Sequence, residues 1–124
     1  MPSATYRLFA EAMRDRKQVI CTYGGYSREI CPIILGHSDG KEKALVFQFG
    51  GGSSSGLPPR RNWKCLELAK VRNARLRDGP WHAGSSHRQS QSCVKDVDLD
   101  VNPASPYKPR RRFGAGVFNG MKSE

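Results

Sequence analysis

Lys17-Gln-Val-Ile-Cys-Thr-Tyr-Gly-Gly-Tyr-Ser-Arg-Glu-Ile-Cys-Pro32 is the stretch whose reading decides the fold. β-Branched and aromatic residues flank a glycine pair that can supply positive φ, so it reads as two antiparallel strands joined at Gly24-Gly25-Tyr26-Ser27. With the turn centred there, opposed residue numbers sum to about 51, so Tyr23 faces Arg28, Cys21 faces Ile30 and Val19 faces Pro32. One face then ends in an aromatic ring beside a guanidinium, which is either a ligand contact or a solvated pair at a hairpin mouth. Cys21 and Cys31 fall on opposite faces, which argues against a bridge between them.

Upstream of the hairpin, Ser3 or Thr5 can cap a helix, and Leu8, Phe9, Ala12 and Met13 make one apolar stripe. The spacing predicts a helix from about Thr5 to Arg16 that covers the sheet. Downstream, Ile33-Ile34-Leu35 carries the second strand to Gly36, and Ser38-Asp39-Gly40-Lys41 is a second turn. Ala44 to Phe49 is apolar on both faces and reads as a central strand, and Gly50 to Pro59 reads as a flexible loop. A fourth strand is expected over Trp63 to Leu68 and a fifth over Val71 to Leu76. Cys93 to Val101 alternates with period two, so Asp96, Asp98 and Asp100 are expected on a water-facing edge.

This pattern predicts a mainly β chain, a small Sm- or SH3-like barrel or a strongly bent antiparallel sheet with an N-terminal α-helix. At 124 residues the chain is one domain long, and 37% hydrophobic residues leave part of it outside the core. Residues 1 to 102 are expected to form the domain. Residues 103 to 124, rich in Pro, Arg and Gly, read as a basic, disordered tail. No stretch approaches the ~20 apolar residues of a membrane span, and no leader-like run opens the chain, so a cytoplasmic protein is expected. Cys21, Cys31, Cys65 and Cys93 are expected as reduced thiols.

A formal charge of +10 points to anionic partners. Much of the excess lies in the Arg60 to Asp78 block and in the tail. Motifs for catalysis are lacking: there is no nucleophile elbow, no phosphate-binding glycine loop, and no histidine next to an ordered carboxylate in the expected elements. His82, His87 and Cys93 match no tight zinc spacing, and the three aspartates lack ligands from a second element. No catalytic residue, metal or cofactor is therefore expected. What remains is a basic and aromatic set, Tyr23, Tyr26, Arg28, Arg60, Arg61, Trp63, Lys64, Lys70, Arg72, Arg75 and Arg77. Rings of this kind stack on bases while Arg and Lys neutralise phosphates.

Val-Ile-Cys-Thr-Tyr (19 to 23), Arg28 with Pro32 four residues on, Leu35-Gly36, the strand Ala44 to Phe49 and Lys64-Cys-Leu-Glu-Leu-Ala-Lys-Val71 together resemble the WYL family of small ligand-sensing domains. The resemblance implies an Sm-like or SH3-like barrel and a ligand that is single-stranded nucleic acid or a nucleotide. It implies roles for Arg28, Lys64 and Lys70, which stand where the family has basic residues. Ala44-Leu45-Val46 occupies the place of the Trp-Tyr-Leu triplet, two family arginines are lysines, Leu66 stands at an aromatic position, and no helix-turn-helix module is present. The expected site is thus Tyr23, Arg28, Trp63, Lys64 and Lys70. A module for protein interaction or assembly, with a homo-oligomer or another protein as partner, is the alternative.

Overall fold

A computed structural model describes residues 2–52, 63–82 and 93–101. Helix α1 (Ala4–Asp15) starts at Ser3, whose hydroxyl accepts from the Tyr6 N–H at 3.1 Å, as an N-cap should. Its own N–H and Oγ donate to the Glu42 carboxylate, which ties the cap to the sheet. Arg16, in the left-handed region, ends the helix with its N–H on the Ala12 carbonyl. Tyr6, Phe9, Ala10, Ala12 and Met13 are buried; Phe9 and Met13 each contribute on the order of 1.5–3 kcal/mol by the area they remove from water.

Six strands form one antiparallel sheet: β1 (Gln18–Tyr23), β2 (Tyr26–Ser38), β3 (Lys41–Gly51), β4 (Trp63–Glu67), β5 (Arg72–Arg77) and β6 (Asp96–Asp100). The path runs β4-β3-β2-β1-β5, and β6 pairs with the distal half of β2. The sheet is not closed into a barrel: β4 and β5, joined by a short 3-10 turn (Leu68–Lys70), do not pair with each other. Strand β3 is central, as its two apolar faces demand. It runs through Gly51, two residues into the stretch expected as loop; residues 53–62 lie outside the description, as do 83–92 and the predicted tail.

The hairpin exists, but its register is shifted from the expected one. Val19 pairs with Ile30, Cys21 with Arg28 and Tyr23 with Tyr26, so the turn is the two-residue Gly24-Gly25. Both glycines have positive φ, 60° and 83°, the combination of a two-residue turn whose twist matches its strands. Cys21 and Cys31 do lie on opposite faces, and both are free. Pro32 falls between the β1 partners of β2, which end at Ile30, and its β6 partners, which begin at Ile34; a residue without an N–H costs the ladder least there.

One core lies under α1 and includes Phe9, Met13, Val19, Ile30, Leu35, Val46, Leu66 and Leu68. A second, on the other face, gathers Ile33, Ile34, Leu45, Val94 and Val97, with Phe47, Trp63 and Trp81 packed on it. Two expectations are corrected here. The aspartates of β6 do not form a water-facing row, because Asp98 is wholly buried and Asp96 and Asp100 are half-buried. The cysteines are not all thiols either, because Cys65 and Cys93 are joined in a disulfide with Cα atoms 5.6 Å apart. The period-two pattern of residues 93–101 could not reveal that Tyr6 of α1 and His37 of β2 both meet Asp98. No helix among the described residues is long and apolar enough to cross a membrane.

Candidate nucleic-acid interface

At the hairpin tip Arg28 is 7% exposed and lies between two rings, its guanidinium carbon 5.3 Å from the Tyr23 centroid and 5.9 Å from that of Tyr26. Nε donates to the Tyr23 carbonyl at 3.1 Å and Nη1 to Gln48 Oε1 at 3.2 Å. The expected Tyr23–Arg28 contact is therefore present, but along a diagonal, since Arg28 is opposite Cys21. Gln48 is fully buried, and its amide donates to the carbonyls of Gly50 and Gly52 at 2.9 and 3.0 Å. A buried cation needs such neighbours: two π faces and two oxygens replace much of its lost hydration. Tyr26 is 41% exposed, so its ring offers an open face backed by the guanidinium.

Tyr23 reaches the opposite edge of the sheet, its hydroxyl accepting from the Glu67 N–H at 3.1 Å. Lys70 lies beside the same residue, Nζ 3.9 Å from Glu67 Oε1, with 68% of its side chain exposed. Lys64 pairs with Val46, two residues along β3 from the Gln48 that holds Arg28, so it shares the helix-covered face with Tyr23 and Arg28. Trp63 does not join them. It pairs with Phe47, meets that ring edge-on at 5.3 Å, and packs on the second core. Adjacent residues on a strand point to opposite faces, so Trp63 and Lys64 cannot serve one concave surface.

Strand β5 extends the basic rim from Lys70. Arg72 is opposite Thr22 and Arg75 opposite Ile20, and both are exposed. Arg72 Nη1 donates to the Ala69 and Val71 carbonyls at 2.7 and 3.1 Å, which fixes the 3-10 turn. Arg77 is engaged with Gln18 and, at 3.1 Å, with Glu29. Tyr23, Tyr26 and Arg28 thus share one face at the hairpin end, with Lys70 beside the Glu67 that Tyr23 reaches, whereas Arg72 and Arg75, opposite Thr22 and Ile20, lie on the other face. Arg60 and Arg61 lie outside the described residues.

A second polar centre went unread in the sequence. The Tyr6 hydroxyl donates to Asp98 Oδ2, and His37 Nδ1 lies 3.1 Å from that oxygen. The histidine-and-carboxylate adjacency missing from the expected elements is therefore made by tertiary packing. Only the polar residues interrupting apolar strands, His37, Gln48 and Asp98, could have signalled it. Among the described residues no group of three His, Cys, Asp or Glu could hold a metal; Cys93 is in the disulfide, His82 stacks on Phe49 at 4.3 Å, and His87 is outside the description. Burial pushes the thiols of Cys21 and Cys31 up to about 11, with Arg28 drawing Cys21 slightly back and the His82 N–H doing the same for Cys31, so neither is a nucleophile at neutral pH.

Comparison with protein-family models, with curated proteins and with solved structures finds no match to the chain.

Proposed function

We propose that this chain is a WYL-like regulatory module that binds single-stranded nucleic acid, or a short nucleotide-type anion, on an Sm- or SH3-like scaffold. The observation that carries the reading is the Tyr26 ring, open to solvent and backed by Arg28, on the sheet face that also holds Tyr23 and Lys64, with exposed Lys70 beside the Glu67 that Tyr23 reaches. A base stacks on such a ring while the cations take the flanking phosphates. The strand path β4-β3-β2-β1-β5, with a helix before β1 and a 3-10 turn between β4 and β5, supports the scaffold assignment. Arg28 then acts from below, as the charge that polarises and holds the ring. Trp63 has no place in this site.

The reading is tested by anisotropy of a labelled single-stranded oligomer at two salt concentrations. Wild type should bind with log affinity falling by ~0.7 per phosphate neutralised for each decade of salt. Tyr26→Ala should weaken binding at both salts by on the order of 1–3 kcal/mol, the worth of one stacked base. Lys64→Ala with Lys70→Ala should flatten the salt slope. If only truncation after Asn102 abolishes binding, the tail is a nonspecific polycation and the sheet site is wrong.

Assembly is the second reading, favoured by one observation: among the described residues β4, β5 and β6 each pair on one side only, which leaves strand edges that another chain can extend. Concentration-dependent sedimentation separates the two. A cytoplasmic setting, also part of the proposal, has to accommodate the Cys65–Cys93 bridge, because disulfides that occur in reducing compartments are mostly redox-active.

A further inference from the structure

The Cys65–Cys93 bridge lines a cavity of about 380 Å3 whose other walls include Lys41, Lys43 and Lys95, with Asp39. Strand geometry builds this. Positions 41, 43 and 45 of β3 project to one face, and Cys65 is opposite Leu45, so the ammonium groups and the sulfurs share a surface. Lys95 follows Cys93 by two residues and reaches Asp39 at 3.3 Å, which brings the third cation to the rim. Three ammonium groups and one carboxylate line the cavity, and even with Glu67 opposite Lys43 on the same face the balance stays positive, which makes it attractive to anions. Cys65 is exposed and Cys93 half-buried, so the bridge can be approached from the Cys65 side.

We propose that this cavity is a thiol–disulfide exchange site selective for anionic low-molecular-weight thiols. The incoming thiolate attacks Cys65 Sγ; the S–S bond breaks, its electron pair leaves on Cys93 Sγ, and a mixed disulfide forms at Cys65. A second thiolate attacks the small-molecule sulfur of that adduct, releasing the small disulfide and Cys65 as thiolate. Both cysteines take up protons, so two small thiols are oxidised and the bridge is reduced. The lysines act twice. They concentrate the anionic reagent, and they stabilise the departing Cys93 thiolate, which lowers its basicity and speeds its departure. Cys93 Sγ lies 3.4 Å from the Ala44 carbonyl, which can accept the S–H of the reduced form. Cys21 and Cys31 are buried and are not among the residues that line the cavity, so they take no part. Opening the bridge frees the chain leading into β6 from β4, so the chemistry is coupled to the sheet.

The test compares three thiols of one chain length and different charge: mercaptoethanesulfonate, mercaptoethanol and cysteamine. Rates of bridge opening are followed by alkylation and intact mass, corrected to thiolate concentration, and divided by the rates on a small neutral disulfide in the same buffers. At low salt the sulfonate should exceed mercaptoethanol by about five- to tenfold and cysteamine should be slowest, as expected for a few unit charges ~7 Å apart in water. The preference should vanish in about 1 M salt, where the screening length is ~3 Å, and in the triple variant Lys41→Gln, Lys43→Gln, Lys95→Gln. Peptide mapping should place the first adduct on Cys65. Protein purified with both cysteines reduced should close its bridge on treatment with the disulfide of mercaptoethanesulfonate. Equal normalised rates, a preference that survives high salt or the triple variant, a first adduct on Cys93, or failure of the bridge to close would each overturn the proposal.

Discussion

Tyr6→Phe removes one hydroxyl and leaves the ring where it is. That hydroxyl donates to Asp98, a carboxylate with no exposed surface, and so joins α1 to β6 across the sheet. A hydrogen bond to a buried charged group is worth on the order of 1.5–3 kcal/mol, against about 1 for a neutral pair. The phenylalanine keeps the packing, so the loss should fall in that range and not in the larger one of a cavity. For a domain of this size ~2 kcal/mol lowers the melting temperature by about 10 °C. In urea the midpoint should fall with the slope unchanged, because no additional surface is exposed on unfolding. Asp98→Ala should cost more, on the order of 3–5 kcal/mol, since it removes the partner of both the tyrosine and His37. The informative measurement is the cycle. In the Asp98→Ala background Tyr6→Phe should be neutral within ~0.5 kcal/mol or stabilising, because the hydroxyl has lost its acceptor. Equal costs in both backgrounds would refute the reasoning, since the hydroxyl would then be acting through something other than Asp98.

Gly36→Ala should destabilise by on the order of 2 kcal/mol or more, because an added Cβ would stand 2.0 Å from the Asp96 carbonyl oxygen; loss of amide protection confined first to β6 would show where the strain goes. Cys65→Ala with Cys93→Ala opens a loop of sequence separation 28 and should cost about 3.5 kcal/mol by chain entropy, read as a urea midpoint shift relative to the oxidised protein. Cys21 and Cys31 should resist alkylation in the native protein at pH 8. Their folded values lie above the ordinary 9.0, so their contribution is full below 9.0 and is lost as pH rises towards about 11, by up to ~1.4 kcal/mol per unit for each thiol; Cys21→Ala should flatten that alkaline limb. Asp15 is held below the ordinary carboxylate range by its hydrogen bond to Arg14, so the stability it adds should fade as pH drops through its folded value, and Arg14→Ala should remove that acid-side slope.

The amphipathic helix, the glycine-turn hairpin, the Asp39-Gly40 turn, the central β3 and the short β4 and β5 all follow from local chemistry, and each lies within one to three residues of its expected limits except where β2 and β3 run further. Cap residues, apolar period and positive-φ glycines act over a few residues, so they are legible one segment at a time. The register of the first hairpin was not, because Gly24-Gly25 alone and the longer Gly24-Gly25-Tyr26-Ser27 are both acceptable turns by composition. Burial of Val19 against Ile30 beneath α1 selects the two-residue turn.

Of the expected binding residues, the sequence by itself determined which segments carry the rings and cations: Tyr23 in β1, Arg28 in β2, Trp63 and Lys64 in β4, and Lys70 in the turn before β5. Which of them can act together is a question of faces, and only the tertiary structure decided it. Trp63 and Lys64 are neighbours in sequence and opposites in space, whereas Tyr23 and Glu67 are 44 residues apart and hydrogen-bonded. The same holds for the contacts of longest range. Tyr6 meets Asp98, His37 meets Asp98, and Cys65 meets Cys93 because β6 returns to pair with the distal half of β2. Period two states that the side chains of a strand alternate, but not which neighbour will cover each face. That depends on packing free energy summed over elements far apart in the chain, which no window of local sequence contains.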